Sequence, residues 1–432
     1  VKKPQVTMTE QFLQYLWKNK LFQTDSLISS EGQEIIIQSP GQQSFDAGPD
    51  FINAKVKIGH TLWAGNVEVH IRSSDWFRHN HYLDKAYDNV VLHVVYQHDA
   101  EITRSNGTPI PVLELKFDEK ILQRYTELQI SPNKAACEQY LSTIDRFFID
   151  NWLDNLLAER LNLKATNILM AFENNNHDLN ETFYQLLLQN FGFKTNKQPM
   201  EQLSRKLPYK YILRHRDNLL SIEAMLFGQA GFLNEALDDD YYMKLQKEWN
   251  FLSTKFQLVP MEKHLWKFLR LRPANFPTIR LAQLAMLLYS QNDLLGFITH
   301  YTTNETLDEK FQSGVSEYWK THYTFGRKSS SKEKPLGKEA LDSIKINTLA
   351  PWLFFYGKLN NKQEYTDKAV NILEHTRAEK NTITNYWAAQ KITPLHAGQS
   401  QALIQLTNEY CKPRGCLFCH IGNRIITSKT RI

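Results

Sequence analysis

The sequence predicts an α+β protein in which an N-terminal mixed sheet is followed by a large all-helical region. Apolar and polar residues alternate over residues 53–58 and 67–72, and a continuous apolar run fills residues 90–96. Alternation with period two is typical of a strand with one face in a core, and the continuous run is typical of a buried strand. Beyond about residue 118 the apolar residues recur with helical period, which predicts the helical region.

The N-terminal elements follow in a defined order. Thr9 can cap a helix whose apolar residues form one stripe, namely Phe12, Leu13, Leu16 and Trp17. Strands are expected at residues 34–37, 53–58, 67–72 and 90–96. Gly59 and His60 predict a turn that pairs the second and third strands antiparallel. A polar segment at residues 84–89 predicts a short helix before the last strand.

Two acidic residues are placed to meet on these strands. Asp50 follows Gly48-Pro49 just before the second strand, and Glu68 lies on the third. In an antiparallel pair, a residue before the first strand lies near the far part of the second, so we expect Asp50 within reach of Glu68. Because side chains two apart share a face, His70 lies beside Glu68. Carboxylate oxygens are ligands that suit Mg²⁺ or Mn²⁺, so Asp50 and Glu68 are predicted metal ligands.

The order of elements over residues 9–117 resembles the core of the PD-(D/E)XK nuclease superfamily, with Pro49-Asp50 and Glu68-Val69-His70 in the places of its motifs. The resemblance implies a restriction-endonuclease-like core with Mg²⁺ on the acidic pair. It also makes Glu10 a further candidate, because a first-helix carboxylate often joins the metal site in this superfamily. The alternative for Glu10 is first-turn charge favoured by the helix dipole.

His70 departs from that pattern. The superfamily usually has a lysine two residues after the glutamate, where it orients or activates the attacking water. Histidine can accept a proton near neutral pH or bind a metal directly, and as a ligand it favours Mn²⁺ or Zn²⁺ over Mg²⁺. His70 is therefore predicted to be a ligand or a base, and the water-activation step differs from the superfamily.

The chain as a whole resembles an uncharacterised bacterial family known as a domain of unknown function. The resemblance covers nearly the whole chain and brings no established activity. It is carried by residues 46–51, 63–70, 73–76, 227–231 and the terminal cysteine cluster.

Further polar residues follow Glu68 within twenty-five positions, including Asp75. His79 and His81 with Asp84 could form a hydrolytic zinc site, because alternate histidines on an extended segment point the same way. Their spacing fits no zinc-hydrolase motif, and the alternative is a loop packed over the sheet edge. His93 lies inside an apolar run, so we expect a core histidine with its hydrogen bonds satisfied.

The four cysteines form a second constellation. Cys411, Cys416 and Cys419 follow a C-X4-C-X2-C pattern, and Cys137 stands far upstream. Three close thiolates, completed by Cys137 or by His420, suit a tetrahedral Zn²⁺ or an iron–sulfur cluster. The alternative is that free thiols pack under the final loop.

Length and composition bound the class of protein. The 432 residues, with 42% hydrophobic and 22% charged content, can bury a substantial core. We expect a nuclease-like core at residues 1–117, a helical region at 118–410 and a cysteine loop with a basic tail at 411–432. The sequence shows neither a secretory h-region nor a membrane-length apolar run, so a cytoplasmic location and no membrane partner are expected.

The net charge of +5 is concentrated in residues 327–338 and 412–432. Such placement suits contact with the phosphate backbone of nucleic acid. The alternative is a solvated loop and a frayed tail, and for residues 327–338 the solvated loop is the better interpretation. Residues 266–273 alternate aromatic and basic side chains, which could stack on single-stranded nucleic acid or form a helix that ends at Pro273.

The leading function is metal-dependent hydrolysis of phosphodiester bonds in DNA or RNA, with Asp50, Glu68 and His70 as the catalytic residues. The rival is a non-catalytic module that binds nucleic acid or protein and keeps the nuclease-like core only as a scaffold. The missing lysine favours the rival. The sequence does not identify a protein partner.

Overall fold

The computed structural model describes residues 8–291, 293–301, 303–312 and 314–428. The chain forms two compact units: Val1–Trp152 with Thr407–Ile432, and Leu153–Leu406. The domain boundaries expected after residues 117 and 410 both fall inside the first unit and remain a prediction.

The first unit begins with helix α1 (Glu10–Lys18) and the strands β1 (Leu27–Ile28), β2 (Glu34–Ser39), β3 (Gln42–Gln43), β4 (Phe51–Ile58) and β5 (Thr61–Arg72). Helix α2 (Asp75–Arg78) and two 3-10 helices, His81–Leu83 and Lys85–Tyr87, lead to β6 (Val90–Gln97) and β7 (Val112–Glu114). Helix α3 (Glu119–Ile130), a 3-10 helix (Glu138–Thr143) and helix α4 (Arg146–Asn174) follow.

Seven strands form one mixed sheet in the order β1-β2-β4-β5-β6-β7, with β3 paired to β4. β4 and β5 are antiparallel, whereas β5, β6 and β7 run parallel. This arrangement confirms the predicted N-terminal mixed sheet, and the polar segment before β6 does contain a short helix.

The predicted burial patterns hold in β4 and β6. Ala54, Val56 and Ile58 of β4 are buried, as the alternation required, and residues 90–95 of β6 are buried without interruption. Thr9 caps α1 by accepting a hydrogen bond from the Phe12 amide at 3.2 Å. The apolar stripe of α1 is fully buried in the core.

Gly65 sets the distance between β5 and the start of β6. A Cβ at this position would lie 2.4 Å from Val91 Cγ1 and 2.7 Å from the Asn89 carbonyl oxygen. The missing side chain lets the Asn66 amide donate to the Asn89 carbonyl at 2.9 Å. From there the parallel register aligns Glu68 with His93.

The remaining helices confirm the helical region predicted beyond residue 118. They are α5 (Leu179–Phe191), α6 (Lys197–Lys206), α7 (Tyr209–Leu213), α8 (Leu219–Gln229), α9 (Asp240–Phe256), α10 (Pro277–Ser290), α11 (Leu294–His300), α12 (Asn304–Phe311), α13 (Glu317–Lys320), α14 (Lys338–Ile344), α15 (Ala350–Leu359), α16 (Gln363–Glu374), α17 (Thr382–Ala389), α18 (Ala397–Gln405) and α19 (His420–Thr427). Two π-helical stretches are Lys345–Leu349 and Leu406–Cys411, and β8 (His322–Thr324) pairs with β9 (Arg327–Lys328). Within the described part of the chain, no helix combines the length and apolarity needed to cross a membrane.

One expectation about the basic segments was wrong, and a second holds only in part. Residues 266–273 do not form a helix, and Trp266 is buried with its indole donating to the Ala230 carbonyl at 2.8 Å, so it cannot stack on a nucleic-acid base. Residues 327–338 are not simply a solvated loop, because they include β9 and the buried Lys334. The Lys334 ammonium donates to the carbonyls of Trp319, Lys320 and His322.

Candidate functional site

Strand pairing brings Asp50 and Glu68 together, as the sequence predicted. The Asp50 amide donates to Glu68 Oε2 at 3.1 Å, and the Val69 amide donates to Asp50 Oδ2 at 3.0 Å. From α1, Gln14 Nε2 donates to Asp50 Oδ1 at 2.7 Å. These bonds hold two carboxylates side by side, with Glu68 only 5% exposed.

Two histidines face the free oxygen of Glu68, and a third contacts one of them. Its Oε1 lies 3.5 Å from His70 Nε2 and 3.4 Å from His81 Nε2. His79 Nδ1 lies 3.1 Å from His70 Nε2. One ring nitrogen from each of the three histidines lies within 4.8 Å of the other two. Asp50, Glu68, His70, His79 and His81 are called the carboxylate–histidine cluster below.

His79 and His81 lie in the segment that connects β5 to β6. Neither histidine lies on an extended segment, so the reason given for pairing them was wrong, although they do converge. His79 ends α2 and His81 begins a 3-10 helix. Trp76 is fully buried beneath this turn, and Tyr87 stacks on His81 with ring centroids 3.8 Å apart.

Asp84 and Asp75 have local partners instead. Asp84 accepts from the Ala86 amide at 2.9 Å and so caps a 3-10 helix. Asp75 accepts from the Arg72 amide and pairs with Arg78 at 2.9 Å. The proposed zinc set of two histidines with Asp84 is therefore replaced by one in which Glu68 and His70 join the histidines.

His93 is a core histidine, as expected, yet its hydrogen bonding is incomplete. Its side chain is fully buried, its Nε2 lies 2.8 Å from His70 Nδ1, and its Nδ1 has no hydrogen-bond partner. A neutral imidazole has one N–H. When His70 Nδ1–H donates to His93, His70 Nε2 is left as a free electron pair that faces Glu68 and can bind a metal.

Burial dominates the electrostatics of the cluster. It raises the pKa of Glu68 to about 8, and burial together with the neighbouring Glu68 charge raises the pKa of Asp50 to about 7. Burial and the surrounding histidines lower the pKa of His70 to about 2. Burial also raises the pKa of Glu10, whose carboxylate interacts electrostatically with His79 and His81. A neutral His70 beside carboxylates that resist ionisation forms a site that a cation would stabilise.

The spacing of the donor atoms fits a metal ion. In a tetrahedral zinc site with bonds of about 2.0–2.1 Å, neighbouring ligand atoms lie about 3.3 Å apart. In the cluster, His79 Nδ1 and His70 Nε2 are 3.1 Å apart, and Glu68 Oε1 lies 3.4 Å from His81 Nε2 and 3.5 Å from His70 Nε2. His81 Nε2 is buried without a hydrogen-bond partner although it faces Glu68, and a bound ion would satisfy it.

The cysteine loop folds against the segment that carries Cys137. The Arg414 guanidinium donates to the carbonyls of Ser131 and Asn133 at 2.7 and 2.8 Å, and Gln129 Nε2 donates to the Arg414 carbonyl at 3.0 Å. Helix α19 is held to α3 by Arg124, which donates to the Ile426 and Ser428 carbonyls.

The Cys137 thiol lies close enough to those of Cys411, Cys416 and Cys419 to interact with them electrostatically. Burial and the other three thiols raise the pKa of Cys137, and burial with Cys419 raises the pKa of Cys416 to about 11. His420 instead stacks on Trp152 with ring centroids 4.0 Å apart. Of the two completions left open by the sequence, the structure brings Cys137 to the cluster.

We expect the free energy of unfolding to depend on pH because the pKa of Glu68 is raised in the folded protein. Between pH 4.5 and about 8, folded Glu68 keeps a proton that the unfolded chain has lost. The folded state then binds more protons than the unfolded state, so the free energy of unfolding falls as pH rises, by up to about 1.4 kcal/mol per pH unit for one group. Urea unfolding of EDTA-treated protein should show a shallower fall in Glu68→Gln than in wild type. A matched change at the exposed Glu34 should follow wild type, and equal slopes for all three proteins would contradict the electrostatic account.

Residues 10–382 match the family described as "Protein of unknown function (DUF2851)". No curated protein and no solved structure matches the chain. The matched residues contain the whole carboxylate–histidine cluster and Cys137, and they end before the other three cysteines. The chain belongs to the DUF2851 family.

Proposed function

We propose that the first unit is a metal-dependent hydrolase that cleaves phosphodiester bonds in DNA or RNA, with Asp50, Glu68 and His70 at its catalytic centre. The observation that carries the proposal is that the buried Glu68, held beside Asp50, faces His70 and His81, while His70, His79 and His81 bring one ring nitrogen each within 4.8 Å of one another. The predicted restriction-endonuclease-like arrangement supports it, because β4 and β5 present Asp50 and Glu68 in the order of the superfamily motifs.

The kinds of ligand atom in the cluster indicate which metal it would bind. Carboxylates alone would suit Mg²⁺, but imidazole nitrogens favour softer ions, so Mn²⁺ or Zn²⁺ fits Glu68, His70, His79 and His81 better than Mg²⁺ does. A bound ion would supply Lewis-acid stabilisation of the phosphoryl oxygens and lower the pKa of a coordinated water.

Residues around the cluster position its members. Gln14 and the Val69 amide hold both oxygens of Asp50, and the Asp50 amide holds Glu68 Oε2, which leaves Oε1 directed at the histidines. His93 orients the ring of His70. Glu10 lies within electrostatic range of the cluster, and its raised pKa suits a group that accepts a proton from the attacking water.

A cavity beside α1 suits the substrate backbone. Its volume is about 520 Å³, and its lining includes Lys18, His420 and Arg424 with no acidic residue among the described ones. Lys18 donates to Gln43, and Gln43 donates to Gln14, the partner of Asp50. A chain of polar contacts thus joins the basic cavity to the carboxylates, and phosphate groups bind such basic surfaces without regard to sequence.

We expect the purified chain to cleave labelled DNA or RNA with Mn²⁺ or Zn²⁺ and to lose this activity in EDTA. Glu68→Gln should lower kcat/KM and metal affinity at least about 100-fold, because it removes a ligand and changes the charge of the site. Glu34→Gln on β2 is the matched control and should leave both unchanged, because Glu34 is exposed on the same sheet.

The same assay separates the proposed enzyme from the rival binding module. Absence of cleavage with every metal, combined with unchanged metal affinity in Asp50→Ala, would overturn the enzyme. Tight binding of nucleic acid without cleavage would favour the rival. Joint replacement of Lys18 and Arg424 by Gln should raise KM several-fold with little effect on kcat, since these side chains line the cavity and not the cluster.

We also propose that the four cysteines hold a metal centre in the first unit. Arg414 and Arg124 bring the C-terminal loop to Cys137, and the resulting group of four thiols matches the number needed for zinc or an iron–sulfur cluster. Zinc and an iron–sulfur cluster can each be held by four thiolates, so the metal must be identified by its content and not by the number of thiols.

Metal and acid-labile sulfide analysis of anaerobically purified protein should find either zinc without sulfide or iron with sulfide. Cys137→Ser should lose most of the bound metal, because a buried ligand disappears. His420→Gln is the control and should retain the metal, since His420 stacks on Trp152. Zinc alone would identify a zinc centre, iron with sulfide would identify an iron–sulfur cluster, and full-length protein with neither metal would leave plain thiols as the correct description.

A further inference from the structure

The second unit contains a basic cavity that the proposed hydrolase does not use. Its volume is about 780 Å³, within the range of about 300–1,000 Å³ that small-molecule sites occupy. It lies where three parts of the unit meet: the loop after α5, the start of α10 and the segment before α14. Two segments singled out in the sequence for their basic residues line the same cavity, through residues 271–272, 332–335 and 337–338.

A buried arginine stands at the centre of this lining. Arg280 is only 7% exposed, and its guanidinium lies 4.4 Å from the centroid of the Phe193 ring. It donates to Gln283 Oε1 at 2.9 Å and to Asn275 Oδ1 at 2.6 Å, while its Nε is buried without a partner. No carboxylate pairs with it among the described residues. A buried guanidinium held by neutral groups lacks the anion that buried charges ordinarily have.

Hydrogen bonds hold the residues around Arg280 in place. Gln283 Nε2 donates to the carbonyls of Lys334 and Pro335 at 3.0 and 3.2 Å, which leaves its Oε1 to accept from Arg280. Lys334 is itself anchored by the three carbonyls it contacts. These bonds fasten the segment before α14 over α10 and fix the direction of the guanidinium.

Four exposed cations surround the opening, namely Lys194, Arg272, Lys332 and Lys338. In the part of the chain that the structure describes, none of them forms an ion pair. The two lining acids are Glu333, which pairs with Lys320 at 2.8 Å, and Glu339. Arg377 is neutralised by Asp342 at 2.7 Å. The cavity therefore keeps a strong positive charge after its internal pairs are counted.

We infer that this cavity binds a phosphate-bearing ligand of nucleotide size, with Arg280 contacting a phosphate at the floor and the four exposed cations contacting the others. Guanidinium groups bind phosphate through charge-assisted hydrogen bonds, and Nη1 and Nη2 of Arg280 each carry a second N–H besides the one that donates to Gln283 or Asn275. Apolar lining from Phe191, Leu271 and Ala274 offers a wall for the remainder of the ligand.

Calorimetric titration of the full chain with adenosine triphosphate and with inorganic triphosphate, both in EDTA, tests this inference. We expect one nucleotide per chain, bound more tightly than inorganic triphosphate because of the apolar wall, and weakened by salt because the contacts are ionic. Arg280→Gln should lower the affinity at least about tenfold. Since that buried variant could fold poorly, the double replacement of exposed Lys332 and Lys338 by Gln should also weaken binding several-fold.

Two controls make the outcome specific. Lys247→Gln, at an exposed position of α9 outside the cavity, should bind like wild type. Asp50→Asn should also bind like wild type, so a failure of the hydrolase proposal leaves this test unaffected. The inference is overturned if neither probe binds, if the Arg280 and Lys332/Lys338 variants both bind like wild type, or if only a single-stranded oligonucleotide binds.

Discussion

The candidate site depends on one reciprocal interaction between β4 and β5. The Asp50 amide holds the Glu68 carboxylate, and the amide next to Glu68 holds the Asp50 carboxylate. Antiparallel pairing makes this exchange possible, because it places the residue before β4 opposite the inner half of β5. The main chain thus forces two acids together in a place where neither ionises easily.

The parallel pairing of β5 with β6 supplies the second half of the arrangement. It sets His93 beside Glu68 and so places a neutral partner behind His70. The segment that connects the two strands must return across the sheet, and it places His81 beside Glu68 and His79 beside His70. A bound cation would lower the free energy of carboxylates with raised pKa values beside the neutral His70, whereas a lysine at position 70 would have neutralised the acids without a cation.

Local patterns predicted much of this arrangement. Alternation located β4, β5 and the shared side of Glu68 and His70, and antiparallel register brought Asp50 within reach. The positions of His79 and His81 could not be predicted, because they depend on how an irregular turn packs over Trp76 and not on any period. The apolar run around His93 correctly predicted a core residue. Its contact with His70 could be found only from the strand register. The burial of Lys334 and Arg280 could not be predicted either, because only long-range packing distinguishes a buried cation from a surface cation.

The central claim is that the carboxylate–histidine cluster is a metal site. Anomalous diffraction from a crystal of the full chain soaked with Mn²⁺, recorded on both sides of the manganese absorption edge, tests it most directly. We expect an anomalous peak about 2.0–2.3 Å from Glu68 Oε1 and from nitrogens of at least two of His70, His79 and His81. A well-ordered cluster without an anomalous peak at saturating Mn²⁺, or with Glu68 and the histidines bonded only to one another, would contradict it.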